Sequence, residues 1–299
     1  MRTWFTAWLY AARLRTLPLS FSGILLGSAV AIILDEFSFT IFSLAIWVTI
    51  CLQVLSNFAN DLGDGTKGTD NDNRIGPVRA LQSGMLSRES LRNGIVVLSV
   101  LCAISVFLLL WIASLPVLVW ALLGLLGIAA LWASLAYTLG NRPYGYQGLG
   151  DLMVFLFFGL VSVIGSVSLF TRSFEWEALG FAICAGSLST MVLNLNNLRD
   201  HQNDRTSGKT TLVVRFGPAW AKSYHLVLGL LAFAGFLFSV FFYFKLWVLL
   251  TALFFVVLLP HFRRVFSGSD YASLDPELKK IALFSFSLAL LVFLLSFIR

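Results

Sequence analysis

The chain has 299 residues, of which 58% are hydrophobic and only 12% charged, with a formal net charge of +6. Soluble domains run at about 45–50% apolar and about 25% charged, so the composition excludes a soluble globular class and indicates a polytopic membrane protein. The basic excess is accounted for below by membrane topology, which makes nucleic-acid binding an unnecessary reading of it.

The first stretch, MRTWFTAWLYAARLRTLPLSF, is basic and apolar and lacks a small-residue cleavage site ahead of the first long apolar run. It reads as a retained segment. Apolar runs of about 20 residues, the length that crosses a bilayer, follow near 17–35, 38–59, 92–113, 116–138, 150–171, 176–198, 219–241, 244–260 and 278–298. The expected fold is all-α, with nine transmembrane helices around a central cavity. Pro18 and Pro116 fall in first turns, where a missing N–H is tolerated, and Pro260 is expected to close the eighth span. Cys51, Cys102 and Cys184 lie in apolar spans without C-x-x-C spacing and read as small buried hydrophobes.

Lys and Arg concentrate in cytoplasmic loops. One set of connections holds 18 of the 21 basic residues, and the other holds Arg172, Lys245 and Arg299. Nine spans then put the N-terminus in the cytoplasm and the C-terminus outside. The outer loops LDEFS, ASLP, TRSFEWE and YFK are too short for a site. Function belongs on the cytoplasmic side.

Two polar stretches stand there. In SNFANDLGDGTKGTDNDNRIGPVRALQSG, Asn57, Asp61 and Asp64 are spaced i, i+4, i+7 and share one helical face. In LNLNNLRDHQNDRTSGKTTLVVRFG, Asn196, Asp200 and Asp204 are spaced i, i+4, i+8, and Asn57 to Asn196 spans 139 positions, as does Asp61 to Asp200. Such an internal echo suggests a site at a repeat interface. Stacked carboxylates need a cation between them. Oxygen-only ligands suit Mg²⁺, which usually shares its shell with a substrate phosphate. Lys67, Arg74, Arg79, Arg199, Lys209 and Arg215 lie near enough in sequence to hold the remaining phosphate oxygens. Asp70, Asp72 and Arg88 read equally well as solvated loop charges, and His201, His225 and His261 carry no clear signal.

At this point the motifs resemble a known family. Asn57-x-x-x-Asp61-x-x-Asp64 and Asn196-x-x-x-Asp200-x-x-x-Asp204 are similar to the paired motifs of the UbiA superfamily of intramembrane aromatic prenyltransferases. The stretches RTLPLSFSGILLGSA, RIGPVRALQSG and GNRPYGYQGLGD resemble the branch acting on 1,4-dihydroxy-2-naphthoate; the likeness runs from about residue 13 to about residue 220. Relatives acting on 4-hydroxybenzoate typically carry a tyrosine followed by a Lys-Arg pair, where this chain has Tyr137, then Asn141 and Arg142.

The resemblance implies one transmembrane prenyltransferase domain over residues 1–299, in the cell (inner) membrane, with its active site facing the cytoplasm. It implies Mg²⁺-assisted ionisation of a polyprenyl diphosphate and capture of the allylic cation by 1,4-dihydroxy-2-naphthoate. Loss of the ring carboxylate would give demethylmenaquinone. Asp61, Asp64, Asp200, Asp204, Lys67 and Arg142 are the expected catalytic set. For the acceptor's carboxylate the loop after the fourth span offers Arg142, with Arg15 as the alternative, and Tyr144, Tyr146 and Asp151 nearby.

Two other readings compete: a different aromatic acceptor such as 4-hydroxybenzoate, and a secondary transporter. Transporter sites lie near the bilayer midplane, whereas these acidic residues sit at helix ends.

Overall fold

The computed structural model describes residues 4–71, 75–244, 253–268 and 270–298. Among the described residues every regular element is helical, and eight helices are long and apolar enough to cross a membrane. Much of the expected span 244–260 falls on 245–252, outside the described residues, as do Arg2, Asp72, Arg74, Lys245 and Arg299.

The first element adds a helix that the apolar runs did not include. The opening stretch forms a helix of its own, α1 (Trp4–Ala12), before Arg13 turns the chain with φ 49°, ψ 52° into α2 (Leu17–Ile33). A non-glycine residue in the left-handed region is strained and persists only where its surroundings hold it. Trp8 of α1 packs on Phe58, with ring centroids 5.2 Å apart, and the Tyr10 hydroxyl donates to the Val78 carbonyl.

Next comes α3 (Phe39–Lys67), capped by Ser38, whose side chain accepts from the Ile41 amide. Its 29 residues extend about 43 Å at 1.5 Å per residue, well beyond a hydrocarbon core of about 30 Å. The surplus turns, past the expected end of the span at 59, carry the acidic residues whose spacing predicts a helical face. Gly63 lets them lie against the end of α5: a Cβ there would stand 2.5 Å from Thr138 Oγ1.

Helices α4 (Arg88–Ala113) and α5 (Val117–Ala136) follow. Val96, Val100, Ile104, Phe107 and Trp111 on α4, and Leu118, Leu122, Leu125 and Trp132 on α5, are exposed at helical spacing. An apolar stripe facing outward on such a chain is a lipid face.

Beyond α5 runs one interrupted helix: α6 (Gly150–Val154), a π-helical stretch Phe155–Val161, and α7 (Ser162–Thr171). The wider turn packs against α8 (Leu179–Thr206). All residues from Cys184 to Met191 are buried, so α8 has no lipid face there. It is the central helix, surrounded by α2, the π stretch, α10 (Pro218–Phe244) and the last helix. A short α9 (Leu212–Phe216) precedes α10, its amide end capped by Thr211.

Pro260 does not close a helix. It sits in the first turn of α11 (Leu259–Ser267), after a 3₁₀ turn at Phe255–Leu258. The last helix is α12 (Asp275–Leu295). Buried polar side chains join α10, α11 and α12: His225 Nε2 lies 2.8 Å from His261 Nε2, and His261 Nδ1 lies 2.8 Å from Glu277 Oε2. Arg264 and Lys280 hold the other Glu277 oxygen at 2.9 and 2.6 Å, pairing that a buried carboxylate requires.

Candidate functional site

The ends of α3 and α8 that carry the two motifs come together. Asn60 and Asp64 of α3 and Asn196, Asp200 and Asp204 of α8 line one polar cavity of about 170 Å³. Arg13, Thr69, Arg79, Tyr137, Leu193 and Lys209 complete its wall.

Side-chain bonds stitch the two halves. The Asn203 amide donates to the Thr69 carbonyl at 2.9 Å, bridging α8 to the loop after α3. Tyr146 Oη stands 2.8 Å from Asp64 Oδ1 and 2.6 Å from Thr69 Oγ1, while the Tyr146 carbonyl accepts from the Thr210 amide. Lys209 Nζ lies 3.7 Å from Asp204 Oδ1 and 5.6 Å from the Tyr146 ring centroid. Burial works against the Lys209 charge, yet Asp64 and Asp204 beside it hold its pKa above the ordinary lysine range. Burial, aided by Asp64, pushes the Tyr146 hydroxyl up, so it stays a donor. On the α8 side Arg199 grips both oxygens of Asp200 at 3.0 and 2.6 Å.

A second cavity, apolar and about 370 Å³, adjoins the first. Leu109, Leu126, Phe157, Phe158 and Val161 are among its walls, and the π stretch supplies three of these five. Polar side chains are the minority of its lining, with Ser20, Thr49, Gln53, Ser56 and Ser134 among them, and none is charged. Asn60, Tyr137 and Leu193 line both cavities. The arrangement suits an amphiphile with an anionic head and a long apolar tail, its junction lying at the shared wall.

The donors fit a hard divalent cation. Among the described residues no three acidic, His or Cys side chains make a closed metal cage. Instead, carboxylate and amide oxygens face one cavity from two helices, as expected of a cation that takes the rest of its shell from a bound anion.

A sequence profile of the UbiA prenyltransferase family matches residues 16–288. The chain belongs to the UbiA prenyltransferase family. It is 39% identical over 276 residues to the 1,4-dihydroxy-2-naphthoate octaprenyltransferase of Escherichia coli (strain K12), covering 92% of this chain and 89% of that one. It is 43% identical over 225 residues to the enzyme of that description from Haemophilus influenzae, covering 74% of this chain and 72% of the other. Among solved structures, a UbiA homolog from Aeropyrum pernix has a TM-score of 0.66 at 18% identity, covering 95% of this chain and 97% of that one. A UbiA homolog from Archaeoglobus fulgidus, bound to GPP and Mg²⁺, has a TM-score of 0.65 at 15% identity, covering 94% and 99%. At such identities the likeness is one of fold.

Within this UbiA fold several expected site residues stand elsewhere. Asp61 is fully buried away from the polar cavity, accepting from the backbone amides of Ala80 and Leu81 at 3.1 and 3.3 Å. Asn57 donates to the Ala12 carbonyl at 2.8 Å and to Thr16 Oγ1 at 3.2 Å, and so anchors the corner between α1 and α2. Both hold the loops that bring Arg13 and Arg79 to the cavity. Lys67 donates to the Thr138 carbonyl at 2.7 Å, outside the cavity lining. Arg15, Arg142 and Arg215 are exposed and line neither cavity. Tyr144 lines the apolar cavity and donates to the Ala133 carbonyl. Asp151 is buried at the start of α6 and lines neither cavity.

Asn60, Arg13, Thr69 and Tyr137 line the polar cavity and were not expected there. A signal for Asn60 existed: Asn60 and Asp64 each precede Asn196 and Asp200 by 136 positions, a repeat register as good as the one chosen.

Proposed function

We propose that this chain transfers a polyprenyl group from an allylic polyprenyl diphosphate to 1,4-dihydroxy-2-naphthoate, in a nine-helix inner-membrane enzyme whose site faces the cytoplasm. The single observation that carries this reading is the shared wall of Asn60, Tyr137 and Leu193 between a polar and an apolar cavity. The names of the relatives supply the acceptor.

Asn60, Asp64, Asn196, Asp200 and Asp204 would hold the divalent cation, which would neutralise charge on the diphosphate. Arg13, Arg79 and Lys209, in the same lining, meet the remaining phosphate oxygens. The ester C–O bond breaks and its electron pair leaves with the diphosphate oxygen. Tyr137 stands at the wall where the allylic carbon lies, and an aromatic face stabilises a neighbouring cation. The apolar lining excludes water, so the acceptor ring captures the carbon instead.

The ring carbon that bears the carboxylate forms the new C–C bond. Carbon dioxide then leaves, and the pair from the broken bond restores aromaticity. The product is the hydroquinone form of demethylmenaquinone. Ser20, Gln53 and Ser56, among the polar groups of the apolar chamber, meet the acceptor hydroxyls; Arg142, expected at the acceptor's carboxylate, lines neither cavity.

The test is purified protein with polyprenyl diphosphate and Mg²⁺, offered naphthoate and 4-hydroxybenzoate acceptors in parallel. Prenylation of the naphthoate with CO₂ release, abolished by chelator and restored by Mg²⁺ or Mn²⁺, is expected. Transfer only to the benzoate overturns the acceptor, and transfer to neither overturns the enzyme reading.

A further inference from the structure

Arg199 does not line the polar cavity but is bonded to two residues that do, Asn196 and Asp200. Its guanidinium donates to both oxygens of Asp200, to Asn196 Oδ1 at 2.9 Å, and to the carboxylate of Asp275. Of the five N–H donors an arginine has, four are used by these contacts. Arg199 is 4% exposed and so is Asp200. No two-pronged fork is left for a phosphate, so Arg199 does not fill the substrate-binding role its position in the motif suggested.

The pair is unusual for a helix. Adjacent residues point about 100° apart and do not face each other. The grip of Arg199 on Asp200 therefore depends on what holds Arg199 from outside: Asn196 one turn back, and Asp275, the first residue of α12. In this state the acidic wall of α8 is neutralised by its own arginine. A divalent cation taking oxygens of Asp200 and Asn196 competes with that guanidinium for their lone pairs and weakens its hold. Displacing one partner of a buried ion pair is strongly unfavourable because a charge is left uncompensated. Asp275, half exposed and already bonded to Arg199, removes that obstacle.

We propose that Asp275 is a positioning residue that keeps the Arg199 charge compensated while Asp200 and Asn196 pass to the incoming cation, and thereby sets the cation affinity of the site. The proposal rests on the functional reading above, in which those oxygens bind a divalent metal. Arg199 is the resident counter-ion of α8, and Asp275 is its second partner.

Binding of Mn²⁺ to the full-length protein in lipid nanodiscs, with inorganic pyrophosphate present, tests this without turnover, read by the electron paramagnetic resonance of free Mn²⁺. Asp275→Asn is expected to weaken Mn²⁺ binding by about tenfold or more, with thermal unfolding unchanged. Asp275→Glu, which keeps the charge, should restore binding to within about twofold. In an Arg199→Gln background Asp275→Asn should have no further effect, since the coupling runs through the arginine. Unchanged binding in Asp275→Asn, or the same loss with and without Arg199, overturns the proposal. Absence of Mn²⁺ binding by the unsubstituted protein overturns the functional reading, and the proposal with it.

Discussion

Tyr146 and Asp64, 82 positions apart in sequence, meet in a 2.8 Å hydrogen bond. The same tyrosine accepts the Thr210 amide through its carbonyl, so it ties the α3 motif to the loop after α8. A bond to a charged acceptor contributes about 1.5–3 kcal/mol. Tyr146→Phe keeps the ring and should lower kcat/KM for the prenyl diphosphate by about 10- to 100-fold. The acceptor's KM should not move; if it moves and the diphosphate's does not, Tyr146 belongs to the acceptor.

Asp61 and Asp64 should separate cleanly. Asp61→Ala strands the buried Ala80 amide, at about 1–3 kcal/mol, and the part-buried Leu81 amide, and should lower the melting temperature. Asp64→Ala empties a place on the cavity wall and should abolish transfer with little change in melting. Thermal unfolding followed alongside activity checks both, and a reversed pattern would restore Asp61 to the site.

Arg142 is exposed, with no side-chain partner in either cavity wall. Exposed substitutions away from special features stay within about 0.5 kcal/mol, so Arg142→Ala should retain activity within about twofold. Gln53→Leu, by contrast, should raise the acceptor's KM while leaving that of the diphosphate in place. Steady-state kinetics with each substrate varied in turn would expose an error in either assignment.

His261 predicts a pH dependence of stability. Burial lowers its pKa below the usual histidine range, although Glu277 pulls the other way and Lys280 adds to the lowering. His225 contacts its other nitrogen, and Arg264 reaches the same glutamate. An unfolded histidine takes up its proton near pH 6.5, so below about 6.5 the unfolded chain binds more protons. Stability is therefore full above that pH and is lost as pH falls toward the folded value. The melting temperature should drop between about pH 7.5 and about pH 5, and His261→Gln should flatten the drop. An equal slope in the variant would assign the effect to another group.

Helix positions were readable from the sequence because lipid leaves so little freedom: expected starts at 17, 38, 116 and 150 meet observed starts at Leu17, Phe39, Val117 and Gly150. The meeting of the two motifs was readable too, from their repeated spacing. Which of two overlapping Asn-x-x-x-Asp pairs faces the cavity was not. Asn57 and Asp61 lie one turn from Asn60 and Asp64, and only the docking of α1 and of the loop near Ala80 decides between them. Those partners are 45 and 19 residues distant, beyond any helical periodicity. Arg142 is the lone cation of its loop, a property that says nothing of the direction of its side chain.

The apolar cavity measures about 370 Å³, near the lower end of the 300–1,000 Å³ typical of pockets for drug-sized ligands. A tail of many isoprene units is longer than such a chamber and has to extend beyond it. Such an enzyme carries no ruler. The length of its product is then dictated by whichever prenyl diphosphate the cell manufactures, and a host with a different prenyl supply would obtain a quinone of different length from the same polypeptide.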